Sequence, residues 1–205
     1  MNPQNNPSGV SLIELLIAII LLSVVVFATS TIDLASKSQL KDIDRQTVLY
    51  NEVNYAMESI VKDISQSTGV LSSPAVCIEN VLSSGVPSCT ATTKETGKVV
   101  MFRQSDNTIS NLEDNTWGAY VFDDSAASEK KIVRYEFDGS NWNSGSDITR
   151  PRISSATFTR DGNENANKMF IYISARDDLT RPEDPMDNTE VSLESNVTIS
   201  AMSVR

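Results

Sequence analysis

The chain has 205 residues, room for one membrane-crossing element and one domain of ordinary size but not for two large cores. Its 17 Lys and Arg against 27 Asp and Glu give a net charge of -10, the reverse of the basic surface that neutralises phosphates, so nucleic acid is not an expected partner. It has no histidine, which removes Ser-His-Asp and Cys-His catalysis and the imidazole ligands of catalytic zinc, and argues against an enzyme.

The first nine residues, MNPQNNPSG, are polar and broken by proline. From Val10 to Ile32 the only charged side chain is Glu14, and the span meets the length of about twenty apolar residues that a helix needs to cross a bilayer. Three arrangements share that outline: a plain anchor, a secretory signal cut after Ala28, and a short leader clipped just ahead of the apolar run. Glu14 separates them. A carboxylate within a bilayer costs roughly 2.5–3.5 kcal/mol on insertion scales, so in a plain anchor it needs a purpose, or a place near enough the helix start to reach the interface. A signal peptide would carry basic residues ahead of its apolar stretch, and none stands there.

Gly9 followed by Val10-Ser11-Leu12-Ile13-Glu14 and an apolar helix resembles the leader of type IV pilins and pseudopilins. The resemblance implies that a prepilin peptidase cuts after Gly9 and methylates the amine of Val10, and that Glu14 is the assembly glutamate at the fifth position of the mature chain. It implies an inner-membrane protein with its head outside the cytoplasm, partnered by other pilin or pseudopilin subunits and an inner-membrane assembly platform. Physically, the new cationic amine and Glu14 of a neighbouring subunit would each be costly alone in an apolar layer and tolerable as a pair. Pairing of Glu14 with the amine of its own chain is the competing arrangement, since positions four apart share a helical face. Val10 stands where the family usually has phenylalanine. Lys37, Lys41 and Arg45 follow the span, a distribution that by the positive-inside rule opposes the family's orientation.

Beyond Ser30, Ile43, Tyr50, Val53, Met57, Ile60 and Ile64 recur at helical spacing, so residues 33–66 read as an amphipathic continuation of the 10–32 helix. From Leu12 to about Gln66 it would measure roughly 80 Å at about 1.5 Å per residue. Gly69 is a stop signal, and residues 71–97, rich in Ser, Thr, Gly and Pro, read as irregular. The stretch contains both cysteines, Cys77 and Cys89, whose spacing is unlike the tight pairs of redox or metal sites. In an oxidising compartment they would close a loop as a disulfide, and in a reducing one they would be two small buried thiols.

Strands are expected over Lys98 to Arg103, Trp117 to Phe122, Lys131 to Phe137, Ile153 to Arg160, Lys168 to Ser174 and Val191 to Val204. Asp138-Gly139 and Asp161-Gly162 fall between them as turns. The fold expected is α+β: a long N-terminal helix laid on an antiparallel sheet, with residues 67–205 forming the head. The same order of parts is that of the pilin family, and the segment NEVNYAMESIVKDISQSTGV with the closing VTISAMSVR resembles the W-type minor pilins and J-type pseudopilins.

Two acidic stretches invite a metal. Residues 160–168 begin like a calcium loop, but the loop counted from Asp161 has Ala166 where a glycine belongs and Tyr172 at the twelfth position where a bidentate glutamate belongs, so a hairpin loop is the reading. Residues 176–190 offer Asp177, Asp178, Asp184 and Asp187 as calcium candidates of the kind found in a carboxyl-terminal loop of some pseudopilins, with Arg176 and Arg181 able to neutralise the loop without metal. No other cofactor is expected. Trp117, Trp142 and Tyr120 read as packing residues rather than an adhesive surface. The function that results is a minor pilin or pseudopilin of a type IV pilus or type II secretion pseudopilus; the alternative is a single-pass anchored binding domain or adhesin that never polymerises.

Overall fold

The computed structural model describes residues 11–67, 75–84, 96–104, 116–160, 168–183 and 188–199. It divides into two units, one ending at Asp44 and one running from Arg45 onward. A single helix, α1 (Leu12–Ser65), supplies all the described regular structure of the first unit and the opening element of the second.

In the second unit α1 buries Leu49, Val53, Ala56, Met57, Ile60 and Ile64, a stripe at helical spacing that a sheet can cover. This corrects the face read from the sequence. Ile43 and Tyr50 are exposed, at 59% and 49%, while Leu49 and Ala56 are inside. At about 100° per residue Leu49 falls inside the arc spanned by Val53, Ala56, Ile60 and Ile64, whereas Tyr50 and Ile43 lie outside it, beyond Met57.

The strands are β1 (Val76–Glu79), β2 (Thr96–Gly97), β3 (Val99–Arg103), β4 (Trp117–Asp123), β5 (Lys131–Phe137), β6 (Ser146–Asp147), β7 (Ile153–Arg160), β8 (Lys168–Arg176) and β9 (Glu190–Thr198). They form two antiparallel sheets rather than the one expected, in the orders β1-β3-β4-β5-β6 and β2-β7-β8-β9. The six expected strands all form, with their starts and the ends of the first five within a residue or two of the expected positions. Residues 71–97 are not wholly irregular, because Val76–Glu79 pairs with β3 in register, Cys77 opposite Met101. The final strand ends at Thr198, and residues 200–205 lie outside the described residues.

The main core is built from the α1 stripe with Val76, Ile78, Val100, Phe102, Tyr120 and Ile132 of the first sheet and Ile153, Phe158, Ile171, Ile173 and Val197 of the second. A smaller cluster of Cys77, Val99, Met101, Trp117, Ala119 and Phe137 lies on the other face of the five-stranded sheet. Burial on both faces explains why β3 and β4 read as continuous apolar runs instead of alternating. Gly118 is required by this packing: a Cβ there would meet the ring of Phe102 at 2.3 Å. The β5–β6 turn follows the expected chemistry, with Gly139 at φ 95° and Asp138 Oδ1 accepting from the N–H groups of Ser140 and Asn141 at 2.8 and 2.7 Å.

One polar cluster joins α1 to the first sheet. The Tyr120 hydroxyl donates to Asp63 Oδ2 at 2.7 Å, and Arg134 Nε, in register with Tyr120, donates to the same oxygen at 3.2 Å. Burial, with Asp63 beside it, holds the phenol well above its ordinary ionisation range.

Candidate functional site

The site is the start of α1 and the apolar surface that follows it. Ser11 stands at the N-cap: its carbonyl accepts the first helical bond from Leu15 N at 3.1 Å. Glu14, three residues on, turns back and accepts the Ser11 backbone N–H on Oε2 at 2.9 Å. This is the returning half of a capping box, and it satisfies a donor that the helix itself cannot. Glu14 Oε1 makes no hydrogen bond among the described residues. The pairing was absent from the reading of the apolar run, yet S-x-x-E before a hydrophobic stretch is a sequence signature of it.

Downstream, Leu12, Ile13, Leu15, Leu16, Ile17, Ile19, Ile20 and their successors to Leu34 are exposed, each by half or more. The helix is long and apolar enough to cross a membrane. Its few hydroxyls do not spoil that surface, because each is turned onto a carbonyl of the preceding turn: Ser23 onto Ile20 at 2.7 Å, Ser30 onto Val26 and Thr31 onto Ala28 at 2.8 Å. Charge returns at Asp33, which pairs with Lys37 at 2.8 Å one turn later.

Among the other residues singled out from sequence, Gly9 and Val10 lie outside the described residues. Cys77 is buried in the smaller cluster, and Cys89 lies outside the described residues. Trp117 and Trp142 pack as expected: the Arg103 guanidinium lies 4.8 Å over the Trp117 ring, and Trp142 meets Phe137 edge-on while donating to the Ser83 carbonyl.

Of the calcium candidates, Asp177 faces Arg152 at 3.2 Å and Arg45 at 3.8 Å, and Asp178 Oδ1 accepts from Thr180 while its other oxygen faces Arg181. Asp184 and Asp187, and residues 161–167 of the other acidic stretch, lie outside the described residues. No group of three acidic, cysteine or histidine side chains gathers among the described residues. The centre of the 176–190 loop is instead occupied by Asn188, 2% exposed, whose amide nitrogen donates to the carbonyls of Asp178, Arg181 and Pro182 and whose oxygen accepts from Asp178 N.

Residues 4–30, which contain Gly9, Glu14 and most of the apolar run, match the prokaryotic N-terminal methylation motif. The chain carries a type IV pilin-type N-terminus. The match supports the type IV pilin and pseudopilin family, and with the exposed apolar helix it points to a membrane-anchored structural protein rather than an enzyme. A pilin-type N-terminus implies a prepilin peptidase and other pilin subunits as partners. No curated protein and no solved structure matches the chain.

Proposed function

We propose that this protein is a minor pilin or pseudopilin, cleaved after Gly9, methylated at Val10, and drawn into a type IV pilus or type II secretion pseudopilus by packing of its apolar helix against those of its neighbours. The carrying observation is Glu14: the single charge in the exposed apolar stretch of α1, fifth after the glycine, within the matched motif. Its Oε2 is engaged by its own chain, and its Oε1, which no other described residue bonds, is the atom we assign to the amine of a neighbour. A carboxylate so placed is favoured when an opposite charge meets it away from water. The head, of ordinary domain size, suits a low-copy subunit whose outer surface does the contacting. In the same reading, Cys77 and Cys89 form a disulfide in the oxidising space outside the inner membrane.

The test is the intact mass and N-terminal peptide of the protein recovered from host membranes and sheared filaments. A chain beginning at Val10 in both fractions supports the reading. One beginning at Met1 and confined to membranes supports the non-polymerising anchored domain. Alkylation with and without reductant, read by mass, decides the disulfide.

A further inference from the structure

The second sheet ends on a strand that differs from every other edge. Its partner edge, β2, is two residues long, and the edges of the first sheet, β1 and β6, have four and two. β9 has nine, paired to β8 without a shift of register along its whole length, and it contains no Pro, Gly, Lys or Arg. In an antiparallel ladder half of a strand's N–H and C=O groups point away from its partner, and no described residue pairs with that side of β9, so it presents a row of donors and acceptors whose spacing another extended backbone can match. Of the usual devices that blunt such an edge, proline, a bulge, lysine and shortness are missing from it, and the exposed Glu194 is the charge that remains.

The side chains say what kind of strand fits. Val191 and Leu193 touch the main core but are only partly covered, so the core's rim is open along this edge. On the opposite face Ser192, Glu194 and Asn196 are exposed, and Glu194 makes no ion pair among the described residues, whereas Glu190 is held by Arg176 at 3.2 Å. A second copy of β9 would set acid against acid, in a chain already at -10. We propose that β9 is a docking edge for an extended strand of a different protein, one that adds to the sheet with apolar residues beside Val191 and Leu193 and a basic residue opposite Glu194. This rests on the reading of the chain as a filament subunit, which supplies neighbours held at fixed positions.

The experiment is amide hydrogen exchange on the full chain, in native filaments and as the purified protein in detergent, with the Glu194→Lys variant alongside. Alternate amides of β9 exchange at least tenfold more slowly in filaments, β8 amides are unchanged, and Glu194→Lys removes the slowing while its near-ultraviolet circular dichroism stays native. Equal rates in both states overturn the docking edge and leave the filament reading standing. Slowing that appears in the purified protein as its concentration rises identifies a second copy as the occupant and overturns the proposal. Absence of the processed chain from filaments overturns the filament reading, and the docking edge with it.

Discussion

Glu14 accepts a hydrogen bond from the backbone N–H of Ser11 at 2.9 Å, so the one carboxylate in the apolar stretch is partly satisfied by its own chain before it meets any other. The two contacts available to it separate by substitution. Glu14→Gln keeps an acceptor for Ser11 and loses the charge, whereas Glu14→Ala loses both, with a cost near the helix start of about 1 kcal/mol. Both variants are expected to insert and to be cleaved after Gly9, and neither to enter filaments. Quantifying each in membranes and in the sheared fraction checks this; wild-type amounts of Glu14→Ala in filaments would exclude a role for the charge in assembly.

Asp63 is the hinge of the contact between α1 and the first sheet, accepting from both Tyr120 and Arg134. Asp63→Ala leaves a phenol and a guanidinium partly buried without their acceptor and is expected to cost about 2–3 kcal/mol, whereas Tyr120→Phe removes one donor together with its demand and costs about 1 kcal/mol. Denaturant unfolding of the two variants ranks them; an order reversed from this would assign the stability to the Tyr120 ring rather than to Asp63.

Stability falls at both ends of the pH scale for identifiable reasons. Burial alone would raise the Glu190 carboxyl, but hydrogen bonds from Ser154 and Ser174 and the charge of Arg176 outweigh it and hold it below its ordinary value. Its stabilisation is therefore present above the unfolded value of about 4.3 and is lost as pH drops through the folded one. Tyr120 is shifted upward, so its contribution is complete below an unfolded value of about 10 and is lost as pH rises further. Glu190→Gln should flatten the acid limb of a stability profile and Tyr120→Phe the alkaline limb, each leaving the other limb in place.

Asn188 holds the loop between β8 and β9 by gathering three carbonyls on one amide group. Asn188→Ala strands these acceptors in a buried position and is expected to lower stability by about 1–3 kcal/mol and to open residues 178–183 to exchange. Because Asp177 and Asp178 are engaged by arginines, calcium is expected to leave the melting temperature of the wild-type protein unmoved, and a rise of several degrees would mean the loop has a second, cation-held arrangement.

What could be read from the sequence was what local spacing encodes. The helix over Leu12–Ser65, the six longer strands and the Asp138-Gly139 turn all follow from neighbours along the chain. Division into two sheets did not, because it depends on which strands pair across long separations; Thr96–Gly97 joins β7, some sixty residues on, while the next strand joins β1 and β4. The strand at Val76 was hidden by its Ser- and Pro-rich flanks, and Ile43 and Tyr50 were assigned to the core because a seven-residue step links them as well as it links buried positions. At the candidate site the glycine-to-glutamate offset was legible, whereas the bond from Ser11 required the geometry of the helix end.

The first buried residue of α1 is Leu49, and every apolar side chain from Leu12 to Leu34 is exposed. A truncation before Arg45 therefore discards no buried side chain among the described residues, and the remaining chain should fold, dissolve and crystallise without detergent. In the filament subunit proposed above, the same boundary lets inheritance act on the two parts separately: drift in the head can alter what the subunit touches while the cohesive segment keeps its compatibility with its neighbours.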